Sequence, residues 1–360
     1  MILGIDARAA AEVQAGRGRY VRELLQALAA LGDDGTRYRL YAREWWGDLP
    51  RDRFAWSLRG LPDPAWHAAA ALAASRSCAA FLSTNSYLTA WITQIPTAVV
   101  VYDLVAFVDP DNAQARAARI ERATIGRAVR RAGAFLCISE ATRRDLVARF
   151  PAAADRARVV PLAADPRFAT PGEPARLGVP YVLGVGTLEP RKNLVRLIEA
   201  WAALPPSVRG DHVLALVGPT GWDVDATLAA ARAHPDDVRL LGFVSDEELA
   251  SLYAGATAFA YPSTYEGFGL PVLEAMAAGA PVVTSSVSSL PEVAGDAAVL
   301  VDPYDVRAIR DALASVLADP AQRSELRERG RTRAAAFSWA RTAQETLAVL
   351  QALAGPTAAG

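Results

Sequence analysis

Short runs of consecutive apolar, β-branched residues alternate with stretches of helical periodicity along the whole chain. In the first half the runs predict strands at Ile2–Asp6, Tyr38–Tyr41, Ala80–Ser83, Ala98–Tyr102, Phe135–Ser139 and Val159–Leu162. Helical patterns at Gly18–Leu31, Ala113–Arg131 and Glu140–Phe150 fall between them. The second half repeats the scheme, with strands predicted at Tyr181–Val185, Val213–Val217, Val238–Leu241, Ala258–Tyr261, Pro281–Thr284 and Val299–Asp302. Runs that stay apolar on consecutive positions suit parallel strands covered on both faces. The alternation therefore predicts an α/β protein of two doubly wound, Rossmann-like domains.

Periodicity lapses in the Pro-, Gly- and charge-rich stretch Asp165–Gly178, where a boundary is expected. This divides the chain into a first domain at 1–165, a linker at 166–178 and a second domain at 179–336. A C-terminal segment at 337–360 follows the last strand; its pattern, Phe337–Ala354, is helical and could return to the first domain.

Composition narrows the function classes. The chain has 360 residues, enough for two cores, and 38 Lys+Arg balance 39 Asp+Glu. Such a balance argues against a nucleic-acid partner, which would call for a basic excess. Two cysteines, Cys78 and Cys137, lie in apolar surroundings and read as buried free thiols. The three histidines have no metal-ligand spacing, so no metal site is expected. No run approaches the roughly 18 apolar residues of a spanning helix, and the first residues carry Asp6 and Arg8 where a signal peptide would be apolar. The expected location is cytoplasmic, with peripheral contact at the inner face of the membrane left open.

Chemistry concentrates in three stretches. In YPSTYEGFGLPVLEAMAAGAPVV (Tyr261–Val283) a strand feeds a loop with Gly267 and Gly269, and Pro271 suits the first turn of a helix ending at Gly279. A glycine loop opening a helix offers free N–H groups and the positive dipole end, an anion site that fits a diphosphate. Glu266 stands before that helix and Glu274 is expected on its first turn. Beside an anion, two carboxylates make sense as acceptors for sugar hydroxyls; the alternative is a plain βα turn with a helix-start charge. In VGTLEPRKN (Val185–Asn193), Arg191 and Lys192 follow the first strand of the second domain, on the edge where ligands of open α/β sheets gather. They could neutralise a leaving diphosphate, or be a solvated pair that the helix dipole mildly disfavours. In AGRGRY (Ala15–Tyr20), Gly16 and Gly18 would let the backbone approach a ligand closely.

Two other patterns point elsewhere. GVGTLE (Gly184–Glu189) starts like a dinucleotide fingerprint but has Glu where the third glycine belongs. Asp109-Pro110-Asp111 and Asp223-Val224-Asp225 match the D-x-D pattern of metal-dependent sugar transferases, and both are expected to be helix caps.

Taken together, the chain resembles the retaining glycosyltransferases of family 4, which have the GT-B fold. The resemblance rests on Glu266…Glu274 within EGFGLPVLEAMAAGAPVV, joined to GTLEPRKN and LLGFVSDEELASLYAGA (Leu240–Ala256). AGRGRYVRELLQAL, CISEATRRDL and VVPLAADPRF add weaker matches. It implies a nucleotide-sugar donor on the second domain and a glycan or polyprenyl-linked acceptor on the first, with a cleft between, and no cofactor. Arg191 and Lys192 would contact the donor phosphates, Glu274 the ribose and Glu266 the transferred sugar. The backbone of Phe268, Gly269 and Leu270 would meet phosphate and sugar, and Gly242, Phe243 and Val244 would flank the base. Gly186 and Thr187 join the donor set, and Gly16 and Gly18 would face the phosphates. The wording of GTLEPRKN is similar to mannosyl- and rhamnosyl-type enzymes of surface-polysaccharide and lipopolysaccharide assembly, so GDP-mannose is the expected donor. Many relatives carry His-Asp after a strand of the first domain; here Tyr102 replaces the His and Asp103 is retained, leaving Asp103 for the acceptor side. Catalysis is thus expected from Arg191, Lys192, Glu266 and Asp103. An inactive donor-binding subunit and a nucleotide-sugar epimerase on the same fold are the rivals.

One helical segment points outside the site. Between Ala113 and Arg131, residues Arg116, Arg119, Arg127, Arg130 and Arg131 share one face, opposite Ala118, Ile125 and Val129. This is a solvated face or a docking face for an anionic membrane surface.

Overall fold

The computed structural model describes residues 1–13 and 16–355; Ala15, which opens the AGRGRY stretch, and the last five residues lie outside the described residues. Among the described residues thirteen strands form two sheets. The first holds β1 (Ile2–Asp6), β2 (Arg37–Ala42), β3 (Phe54–Leu58), β4 (Ala80–Ser83), β5 (Thr97–Val101), β6 (Ala134–Cys137) and β7 (Ala157–Val159), in the order β3-β2-β1-β4-β5-β6-β7. The second holds β8 (Tyr181–Val185), β9 (Val213–Val217), β10 (Val238–Gly242), β11 (Ala258–Tyr261), β12 (Val282–Ser285) and β13 (Ala298–Val301), in the order β10-β9-β8-β11-β12-β13. Every pairing is parallel. The central strands β4, β5, β9 and β11 are buried throughout, as their unbroken apolar runs require.

Both sheets reverse direction of winding, at β1/β4 and at β8/β11, and a doubly wound sheet opens a crevice at the carboxyl ends of the strands where that happens. The topology therefore marks the loops after β8 and β11 before any side chain is considered. Those loops are the GTLEPRKN and STYEGFG segments.

One predicted strand moved and one observed strand was absent from the pattern. The run Val159–Leu162 was expected as a strand, but the sheet keeps only Val159 of it, since Pro161 has no N–H to continue the ladder. The strand shifts back to Ala157. Edge strand β3 is buried only at Phe54 and pairs in parallel with β2 along its whole length.

By contacts the chain divides into two compact units. One comprises Met1–Val108, Ala115–Leu162 and the segment from Ser338; the other comprises Asp109–Gln114 and Ala163–Phe337. The helix Trp339–Ala354 lies against the helix Arg17–Ala30 of the first unit, and Thr342 donates a hydrogen bond to the Pro161 carbonyl at 2.6 Å. Residues 166–178 pack as part of the second unit: Phe168 is buried edge-on against Tyr253 at 5.7 Å, and the Ala175 N–H pairs with the Ser251 carbonyl. Both cysteines are buried and free.

Candidate active site

The site starts from backbone geometry. After β8 the chain turns through Gly186 at φ +144°, and the Gly186 and Leu188 N–H groups bond the carbonyls of Val217 and Pro219. Gly218 sits against this turn so closely that any Cβ would collide with the Gly186 carbonyl, which is why the βα loops can run side by side. Pro190–Lys192 then forms a single 3-10 turn, and Asn193, left-handed at φ 59°, starts the helix Leu194–Ala202. The buried Asn193 amide donates to the carbonyls of Pro262 (2.9 Å) and Pro303 (2.6 Å), tying this loop to those after β11 and β13. Arg191 and Lys192 are therefore on a 3-10 turn ahead of the helix, where the helix dipole acts on them weakly.

The second loop is held as firmly. Ser285 bonds the Ser263 carbonyl, and the Ser289 hydroxyl bonds the carbonyls of both Glu266 and Phe268 at 2.8 Å. The Glu266 N–H reaches the Ser288 hydroxyl at 2.9 Å. Gly269, at φ 102°, caps the helix Leu270–Ala278, and a Cβ there would meet the Leu290 side chain. Gly279 ends that helix in the left-handed conformation. Because Gly269 is the cap, Glu274 is the fifth helical residue and lies on the second turn; the expected first-turn position is corrected.

These loops bring Arg191, Lys192 and Glu266 into one cluster. Arg191 Nη1 donates to Glu266 Oε2 at 2.7 Å and to the Tyr265 carbonyl at 3.2 Å, while its Nε pairs with Glu189. Lys192 Nζ donates to Glu266 Oε1 and to the Tyr261 hydroxyl, each at 2.6 Å, and that hydroxyl donates to Glu266 Oε1 at 2.8 Å. Lys192 and Glu266 are almost wholly buried. Burial alone would raise the Glu266 carboxyl, but Arg191, Lys192 and the bonds from Lys192 and Tyr261 hold it at about 2, so it is anionic. Burial and the neighbouring Arg191 lower the Lys192 ammonium. Burial raises Glu189, against the opposing pull of the two cations.

Glu274 is buried and accepts from the Tyr253 hydroxyl at 3.3 Å. Phe268 is buried, with its ring edge-on against Phe337 and its carbonyl held by the Ser289 hydroxyl. Thr187 is half-buried beside Gly186, and Leu270 is half-buried at the helix start. Gly242 ends β10 and Phe243 and Val244 follow it on the same carboxyl edge, with Phe243 64% exposed.

The first unit holds the remaining residues. Gly16 caps the helix Arg17–Ala30 with open space around it. Gly18 is different: a Cβ would run into the carbonyls of Val13 and Ala9, so its close approach is to protein backbone. Asp103 follows β5, and its carboxylate caps the Val105 N–H at 3.1 Å. The hydroxyl of Tyr102 is buried without a hydrogen-bond partner among the described residues.

The D-x-D patterns are not side-chain caps. Asp223 has a left-handed backbone, and Val224 occupies the cap position before Asp225. Asp109 precedes a 3-10 turn without capping it and instead takes hydrogen bonds from Asn112 and Thr264. Glu189, Asn193, Tyr261 and Ser289 complete the cluster, Tyr253 holds Glu274, and no sequence motif gave any of the five a role. Glu189 and Asn193 sit within GTLEPRKN itself, but nothing local marks Ser289.

Two family profiles divide the chain as the sheets do: Glycosyltransferase Family 4 matches residues 15–168, and Glycosyl transferases group 1 matches 170–333. The O-antigen chain mannosyltransferase B of Escherichia coli is 34% identical over 308 residues, covering 82% of this chain and 76% of that protein. The chain belongs to glycosyltransferase family 4. Its fold is GT-B, shared with sucrose-phosphate synthase from Thermosynechococcus elongatus (TM-score 0.75, 22% identity, 97% of this chain and 98% of that one). Anabaena HepE in complex with UDP-glucose has the same fold (TM-score 0.73, 19% identity, 97% and 99%). In this glycosyltransferase Arg191, Lys192 and Glu266 thus occupy the carboxyl edge at the winding reversal of the second sheet.

Proposed function

We propose that the protein is a metal-independent, retaining glycosyltransferase that moves mannose from GDP-mannose to a glycan or lipid-linked acceptor in cell-surface polysaccharide synthesis. The observation that carries this reading is the Arg191–Lys192–Glu266 cluster beside the Gly269 helix start, two cations and a carboxylate on one anion-binding edge. The likeness to an O-antigen mannosyltransferase supports mannose and a polysaccharide product.

In the reaction the bond from the anomeric carbon to the diphosphate breaks, and its electrons stay on the phosphate oxygen. Arg191, Lys192 and the N–H groups at the helix start stabilise that charge as it develops. The acceptor hydroxyl oxygen attacks from the face the diphosphate leaves, and its proton passes to the departing phosphate oxygen. Glu266 holds the transferred sugar and aims the two cations; Glu274 holds the ribose. Asp103 orients the acceptor, mostly by positioning.

Incubation with GDP-mannose, UDP-glucose and a dTDP-sugar, each with a mannose-terminated acceptor, tests the proposal. The expected result is transfer from GDP-mannose alone, with an α-linked product by proton NMR and full activity in EDTA. A β-linked product, or activity lost to EDTA and restored by Mg²⁺ or Mn²⁺, would overturn the mechanism; preference for another donor would overturn the assignment of GDP-mannose.

A further inference from the structure

The first unit contains a cavity of about 200 Å³ at the carboxyl edge of its own sheet. Its floor is the segments that follow β4 and β5, and one face of the helix Ala115–Arg131 closes it, with Ala117, Ile120, Glu121 and Thr124 at helical spacing. Such a volume lies below the roughly 300–1,000 Å³ of drug-sized sites and suits a single ring. Its walls are mixed. Val100 and Ile120 offer apolar surface, whereas Asp103, Glu121 and the buried hydroxyl of Tyr102, which has no partner among the described residues, offer hydrogen-bonding groups. A sugar ring presents the same combination, C–H faces and hydroxyl edges.

The charges in this cavity are few enough to sum. Asp103 brings a carboxylate after β5, and Arg17 brings a guanidinium that lies over the Tyr102 ring at 5.3 Å. These two offset each other. Glu121 comes from the helix, and Tyr87, after β4, is hydrogen-bonded to it. Arg122 is turned away, spent on the Ala106 carbonyl. The protonation of Glu121 therefore decides whether the lining is neutral or carries one negative charge.

We infer that Glu121 sets the charge class of the acceptor: the cavity takes one uncharged, hydroxyl-bearing sugar ring, and with Glu121 ionised it turns away an acidic ring. This rests on the reading of the protein as a glycosyltransferase. Burial, first, and the adjacent Asp103 raise the Glu121 carboxyl to about 7, against Arg17, the Tyr87 hydrogen bond and Arg122. Below that value Glu121 is a neutral acid, which both donates and accepts. Above it, the cavity gains a charge that repels a carboxylate ligand while still accepting from hydroxyls.

The test uses the full chain with methyl α-mannoside and the corresponding methyl α-glycoside of mannuronic acid, its carboxylate free, as probes followed by ligand-observed NMR at pH 6 and pH 8. Wild type should bind the neutral ring at both values and lose uronate affinity on the order of tenfold between them. Glu121→Gln should bind both rings without that pH dependence. Ala117→Leu, which fills the cavity from an exposed helix position, should lose both. The inference is overturned if wild type binds neither ring, if Glu121→Gln keeps the pH dependence, or if Ala117→Leu binds as wild type does. GDP-mannose binding, measured on the same samples, reports separately on the proposed function: its loss in wild type would sink that reading and leave the ring-binding result standing.

Discussion

At the scale of single residues, the cations that would meet a diphosphate are already satisfied by protein. Lys192 is buried, and Glu266 Oε1 is its only carboxylate contact within bonding distance among the described residues. Removing one partner of a buried pair typically costs about 3–5 kcal/mol, because the other is left desolvated and unpaired. Glu266→Ala should therefore lower the stability of the free protein by that order. A nucleoside diphosphate returns a negative partner to Lys192, so it should raise the melting temperature of Glu266→Ala by more than that of wild type. Scanning calorimetry with and without GDP checks both halves. Glu274→Ala should instead lose GDP affinity by roughly 1.5–3 kcal/mol, the cost of a charged hydrogen-bond partner, with no such rescue. The low Glu266 value also sets an acid limb. Its folded carboxyl lies below the unfolded one, so its contribution is present above the unfolded value and is lost as pH falls toward about 2. Denaturant titrations from pH 5 to pH 2 should show a steeper fall in stability for wild type than for Glu266→Gln.

Elements are joined here by glycines whose roles differ. Gly269 needs its left-handed backbone and has no room for a Cβ against Leu290, so Gly269→Ala combines strain with a clash at the helix start. A loss of about 1–3 kcal/mol is expected, together with weaker GDP binding, since the same N–H groups are the ones proposed to meet the diphosphate. Equal GDP affinity in the variant would separate the helix start from the site. The helix Ala115–Arg131 presents Arg116, Arg119, Arg127, Arg130 and Arg131 to solvent, with Ala118, Ile125 and Val129 buried opposite. Ile120, 51% exposed, interrupts the basic face with an apolar side chain. Arg127 is partly occupied over the Trp91 ring at 5.2 Å. If this face docks on anionic lipid, sedimentation with phosphatidylserine-containing vesicles at low salt should recover more protein than with neutral vesicles. Arg116→Ala with Arg119→Ala should remove about 1 kcal/mol of binding per charge.

Over the whole molecule, each unit has its own parallel sheet and core, yet the first is completed by the last helix of the chain. Trp339, Ala343 and Leu350 of that helix are buried, and Tyr20 of the Arg17–Ala30 helix meets Trp339 at 6.2 Å. A chain ending after Phe337 should lose this packing in the first unit alone. Its thermal unfolding should split, with a lower transition for the first unit and an unchanged one for the second. Limited proteolysis should then cut first within residues 1–162. A single unshifted transition would show that the helix contributes little.

The sequence by itself determined the parallel sheets, because runs apolar on both faces have no other stable setting. It also determined the strand–glycine–helix connection from Tyr261 to Gly279, whose φ values only glycine adopts freely. Arg191, Lys192 and Glu266 were legible as chemistry, each in its own segment, 74 residues separating Lys192 from Glu266. That they share hydrogen bonds depended on the strand order, which places β8 beside β11. The tertiary structure likewise decided that Gly18 serves helix packing and that Glu274 belongs to the second turn. Glu121 reads along the helix as one acid among arginines; only the closure of that helix over β4 and β5 desolvates it and sets it against Asp103. Local pattern carries backbone conformation and burial, whereas pairwise electrostatics between distant segments exists only once the chain has folded.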